Sequence, residues 1–158
     1  MSMNRRTSRG FTVVELLISM ALIALIMVAA ALAMQAAHDS HRYNSEKNDL
    51  VTRTRGSLDR ISRDVRLAAA FEVVDPQTVS VTMPNGIVHV YAWDGAVGGS
   101  LTYTQVDDLV STSVVLTNQV QSFVASDDTP ACSVKLKLVG VLATAEASLT
   151  ATPRKTVF

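Results

Sequence analysis

Proline is absent before Pro76, and Cys132 is the only cysteine. Without proline, nothing in the backbone chemistry forces a helix across residues 12–70 to break. With one cysteine no intramolecular disulfide forms, so stability must come from packing. Lys and Arg are missing between Arg66 and Lys135, an interval holding Glu72, Asp75, Asp94, Asp107, Asp108, Asp127 and Asp128. The formal net charge is zero, which argues against a nucleic-acid footprint. Catalytic signatures are missing too. There is no Gly-x-Ser-x-Gly, no phosphate loop, no CxxC pair and no His-Glu-x-x-His.

The chain does have apolar residues in one concentrated run. Hydrophobic residues make up 48% of the 158-residue chain and charged ones 18%. From Leu16 to Met34, 19 residues, the only polar side chain is Ser19. That is close to the roughly 20 residues a helix needs to cross a bilayer. Before the run stand Arg5, Arg6 and Arg9 with no acid; beyond this leader the chain carries 11 basic and 14 acidic residues, a net of −3. After it, residues 42–66 hold Arg42, Lys47, Arg53, Arg55, Arg60, Arg63 and Arg66. A basic stalk thus precedes an acidic head: either two solvated surfaces, or surfaces that attract one another between neighbouring copies or partners.

One carboxylate, Glu15, opens the apolar run. An isolated charge in a membrane segment costs about 2.5–3.5 kcal/mol on the lenient insertion scale and is a functional candidate by default. Three readings of the segment are open. As a cleaved secretory signal it would be cut near Ala31-Leu32-Ala33, but the apolar core exceeds the usual 7–15 residues. As an uncleaved anchor it would place the amino terminus in the cytoplasm and the bulk outside. Neither gives Glu15 a purpose.

The third reading rests on Gly10-Phe11-Thr12-Val13-Val14-Glu15-Leu16-Leu17. A short basic leader, a glycine, a phenylalanine and a glutamate fifth after that glycine closely resemble the prepilin signal of type IV pilins. The resemblance covers roughly the first 37 residues. It implies cleavage between Gly10 and Phe11 by a prepilin peptidase on the cytoplasmic side, and methylation of the new amino group of Phe11. Glycine leaves the approach to that bond unobstructed. Glu15 lies one turn, about 6 Å, from that ammonium. The two charges can neutralise each other within a chain or between neighbours, and between neighbours the pairing sets axial register.

The chain departs from the family in one respect: major pilins often carry a kinking proline in this segment. Together with the lack of a terminal disulfide loop, this points to a minor subunit. Residues Leu58 to Leu67 and Thr150 to Arg154 are similar to PilW-type minor pilins and type II secretion pseudopilins. The resemblance implies as partners an inner-membrane assembly platform, a major pilin, other minor pilins and, before assembly, membrane lipid. It implies neither enzymatic activity nor a cofactor. The alternative from another class is a membrane-tethered periplasmic enzyme or binding domain that never polymerises.

The helical pattern continues past the apolar run. Leu50, Thr54, Leu58, Ile61, Val65 and Ala68 recur at spacings of 4, 4, 3, 4 and 3, one face of an α-helix. Asp49–Arg53 and Asp59–Arg63 are spaced for i,i+4 ion pairs. A single helix over 12–70 would measure about 88 Å, with Gly56 as a place to bend. Ala29–Ala31 and Ala36–Ala37 offer small surfaces for close helix contact.

After Ala70 the period changes. Eight runs rich in Val, Thr and aromatics (71–74, 78–83, 87–93, 101–106, 113–117, 120–125, 134–141 and 147–152) read as strands. Pro84-Asn85-Gly86 marks a hairpin; Asp94-Gly95 and Gly98-Gly99 mark the next turn. Lys135 and Lys137 alternate with Val134, Leu136 and Leu138, the pattern of a half-exposed strand. The expectation is an α+β fold, a long helix packed on a mostly antiparallel sheet. Its segments are a cleaved leader (1–10), a membrane and assembly helix (11–37), an amphipathic stalk (38–70) and a β-rich head (71–158).

The remaining polar clusters carry bland readings. His38 and His41 share a helix face but have no third metal ligand in view. Asp107-Asp108 and Asp127-Asp128 lack the spacing of a calcium loop and read as turn residues. His89 and Cys132 read as a half-buried histidine and a packed thiol. Trp93, Tyr91 and Tyr103 read as sheet packing.

Overall fold

The computed structural model describes residues 11–107, 110–128 and 130–153. The chain divides into two compact units, Met1–Arg42 and Tyr43–Phe158. One helix, α1 (Val13–Leu67), contributes to both.

In the first unit α1 has no protein against it. Phe11, Val13, Ile18, Leu25, Met27 and Met34 all expose more than half of their surface. A helix apolar on every side lacks a wet face, so its exposed surface calls for lipid or other apolar helices. This stretch of α1 is long and apolar enough to cross a membrane.

In the second unit α1 is amphipathic. Leu50, Thr54, Leu58, Ile61 and Val65 are buried, and Ala68 follows just beyond the helix end. They meet a seven-stranded antiparallel meander: β1 (Ala70–Asp75), β2 (Thr78–Thr82), β3 (Val88–Trp93), β4 (Gly99–Asp107), β5 (Val110–Asp128), β6 (Ala131–Val139) and β7 (Thr144–Ala151). Val79, Val81, Tyr91, Leu101, Phe123, Leu136 and Leu138 supply the sheet side of the core. Each fully buried large apolar side chain contributes about 1.5–3 kcal/mol relative to exposure. The expected α+β, pilin-like layout is the one observed.

Local chemistry sets the turns. Gly86 has φ +86°, and Met83 and Ile87 close the β2–β3 hairpin with a 2.8 Å backbone hydrogen bond. Along β6, Cys132, Val134, Leu136 and Leu138 face the core while Ser133, Lys135 and Lys137 face away. The helix stops at Leu67 because the Ala69 N–H leaves the helical ladder and donates to the Thr82 carbonyl at 2.9 Å.

Two expectations are corrected. The runs 113–117 and 120–125 are one strand, β5, which pairs with β4 up to Val120 and with β6 from Val120 onward. Gln119 sits at the changeover with φ +64°. The break in pattern at Asn118-Gln119 is therefore a bend within a strand, not a turn between two. The second correction concerns the stalk. Arg53 pairs with Asp49 at 2.8 Å, but Asp59 and Arg63 form no such pair. An exposed i,i+4 pair contributes only about 0.3–0.5 kcal/mol, too little to hold two long side chains against other demands. Gly56 lies inside continuous helix.

The β6–β7 turn is tied to the helix. The Leu142 N–H donates to both carboxylate oxygens of Glu46, at 3.1 and 3.2 Å. Gly140 makes room: a Cβ there would collide with Glu46 Oε1. Gly140→Val is therefore expected to turn the flexible end of Glu46 aside and cost about 0.5–1.5 kcal/mol through the lost bond to Leu142, read as a slightly lowered Tm.

Candidate functional site

The residues expected to carry function lie at the start of α1. Thr12 is its N-cap. The Thr12 hydroxyl accepts the Glu15 N–H at 3.3 Å, and the Thr12 carbonyl accepts the Leu16 N–H at 3.2 Å. Thr12-x-x-Glu15 is the spacing of a capping box, with an acid favoured in the first turn by the helix dipole. Ser19 turns its hydroxyl back to the Glu15 carbonyl at 2.6 Å.

Thr12 and Ser19 thus satisfy their polarity on the backbone. The Glu15 side chain does not: its carboxylate makes no hydrogen bond or ion pair with the described residues. Phe11, four residues before it, is 71% exposed. The site is one unpartnered carboxylate at the head of a helix with apolar sides. Gly10, Arg5, Arg6 and Arg9 lie outside the described residues, as do Asp108 and Arg154.

A second polar cluster, in the second unit, went unforeseen in the sequence. Asp64 is 9% exposed on the sheet-facing side of α1. Its Oδ2 accepts from His89 Nδ1 at 2.7 Å and from the Tyr91 hydroxyl at 2.6 Å. The carboxylate can only accept, so the proton of the pair sits on Nδ1. Burial, together with the Asp64 hydrogen bond and charge, pushes the Tyr91 hydroxyl well above the usual tyrosine range. The Arg60 guanidinium lies 3.9 Å over the Tyr103 ring. Desolvation lowers its pKa, but the proximity of the Tyr103 and Tyr91 hydroxyls outweighs this and raises it. The cluster joins α1 to β3 and β4. One clue was in the spacing: Asp64 stands three residues after Ile61 and just before Val65, on the apolar face.

Cys132 and His89 make no hydrogen bond with each other: His89 lies on β3 against Asp64, and Cys132 is buried on β6. Burial and the nearby charges of Asp127 and Asp128 push the Cys132 thiol up to about 11. At pH 8 its thiolate fraction is about one in a thousand, so alkylation by iodoacetamide is expected only on unfolding. Rapid labelling of native protein at pH 8 would contradict this. Asp94 closes the β3–β4 turn, accepting the Ser100 and Ala96 N–H groups at 2.9 and 3.0 Å. These bonds hold its carboxyl below the usual range. Among the described residues no group of three metal-ligating side chains assembles.

Residues 5–31 match the family model of the prokaryotic N-terminal methylation motif, the type IV pilin-like prepilin signal. No curated protein and no solved structure matches the chain. The motif supports a pilin or pseudopilin, a structural subunit processed by a prepilin peptidase. The match includes Gly10, Phe11 and Glu15 and stops well short of the sheet.

Proposed function

We propose that this chain is a minor pilin that primes assembly of a type IV pilus or sits in its tip complex. In this reading residues 1–10 are a leader, held at the cytoplasmic face by Arg5, Arg6 and Arg9 and removed after Gly10. Residues 11–37 then form the membrane and assembly helix, residues 38–70 the stalk and residues 71–158 a periplasmic head. The observation that carries the reading is the Glu15 carboxylate, without a partner among the described residues, at the start of an exposed apolar helix and one turn from Phe11.

Cleavage and methylation leave an ammonium on Phe11. In an apolar bundle it and the carboxylate of an adjacent subunit are each costly alone and tolerable together. A subunit stops sliding where its ammonium meets the waiting Glu15. An assembly platform then needs only to lift helices out of the bilayer, since the bundle offers the same apolar surroundings.

The pseudopilus of a type II secretion system uses the same chemistry and is the runner-up. Immunodetection of the chain in sheared surface filaments, at far lower amounts than the major subunit, is the expected result. Its confinement to a secretion complex favours the pseudopilus. Its absence from every filament and secretion assembly, with the head still in the periplasm, favours a tethered domain that never polymerises.

A further inference from the structure

A groove of about 490 Å³ runs along the last turns of α1, lined by Asp59, Ser62, Arg63, Arg66, Leu67 and Leu149. Arg63 and Arg66 reach no carboxylate in it: among the described residues neither forms an ion pair. Leu67, beside them, is 52% exposed. The groove thus carries two arginines and apolar side chains beside one acid, Asp59.

The complementary surface is on the outward side of β1. Phe71 and Val73 pack inward, so the alternation of the strand turns Glu72 and Val74 outward. Val74 is 60% exposed, and Asp75 next to it is exposed as well. Among the described residues Glu72 makes no hydrogen bond or ion pair, and Asp75 accepts only the Gln77 N–H, at 2.7 Å. Glu72, Val74 and Asp75 thus offer two acids and one apolar side chain to the two arginines and the leucine of the groove.

We infer that the groove at Arg63, Arg66 and Leu67 takes the β1 edge of a second copy of this chain, pairing Glu72 and Asp75 with the two arginines and Val74 with Leu67. Single exposed ion pairs are weak, about 0–1 kcal/mol each. Two of them beside an apolar contact, on helices already confined to one membrane, supply selectivity for a partner rather than bulk affinity. The inference rests on the filament reading only in needing copies held side by side. It gives priming a nucleus, since copies recognise one another before other subunits join.

The test uses two differently tagged full-length copies, co-expressed and co-purified in detergent. Arg63→Glu with Arg66→Glu in both copies is expected to lower recovery of the second tag about tenfold. Adding Glu72→Arg and Asp75→Arg is expected to restore it. All four positions are exposed, and restoration also shows that the reversed chains fold. Wild-type recovery is expected to fall in about 0.5 M salt, which shortens the reach of these charges. Unchanged recovery after the arginine reversal, failure of the four-fold reversal to restore it, or indifference to salt overturns the inference. Mass analysis of the amino terminus of the same samples separates the two ideas. An unprocessed leader counts against the filament reading, whereas a processed chain with charge-insensitive recovery counts against the groove alone.

Discussion

Glu15→Val protein is expected to be cleaved after Gly10 as usual and to enter filaments on the order of a hundredfold less often than the wild type. The estimate follows from about 2.5–3.5 kcal/mol for an uncompensated charge in an apolar helix, at 1.4 kcal/mol per factor of ten. On the proposed pairing, the substitution leaves the neighbouring subunit's ammonium without a counter-charge, so both register and insertion suffer. Glu15→Gln separates charge from capping. Glutamine keeps the side-chain length and also serves at the third position of a capping box. It therefore preserves the Thr12 cap and removes only the charge. Quantifying each variant in sheared filaments against its membrane pool is the measurement. Normal incorporation of the Gln variant would show that the charge of Glu15 is not what assembly requires.

The second large effect is expected in the sheet-bearing unit. Asp64→Leu removes the acceptor shared by His89 and the Tyr91 hydroxyl. Both are left facing a side chain that cannot accept. Breaking one partner of a buried pair costs about 3–5 kcal/mol. Asp64 and His89 side chains are 13% and 15% exposed, so water screens the loss only slightly. A fall in Tm of about 10 °C or more is expected in full-length protein in detergent. Processing after Gly10 should be unaffected, because that chemistry lies outside the sheet-bearing unit. A Tm within about 2 °C of the wild type would mean that the cluster adds nothing to stability.

Local spacing made much of the fold legible before any coordinates. The 4-4-3-4-3 recurrence from Leu50 to Ala68 names the buried side of α1, since helix geometry alone puts those positions in line. Pro84-Asn85-Gly86 names its hairpin because only glycine accepts the backbone angle there cheaply. Lys135 and Lys137 name the outer side of β6 by simple alternation. The misses needed distant partners. Asp64 meets His89 and Tyr91 25 and 27 residues away, and Glu46 meets Leu142 96 residues away. No window of sequence contains those pairs. The continuity of β5 was hidden for another reason: Asn118-Gln119 looks like a turn, and only the change of partner from β4 to β6 shows it to be a bend. In the amino-terminal segment the leader motif was readable because its chemistry is contiguous. The unpartnered state of Glu15 was not, because it depends on where Thr12 and Ser19 send their hydroxyls.

If the chain is processed as its leader indicates, intact-mass and fragment-ion analysis of the protein from membranes or filaments will show a first residue of N-methylated Phe11. A mature chain that still begins at Met1 or Met3, or one that begins near Met34, would contradict the account.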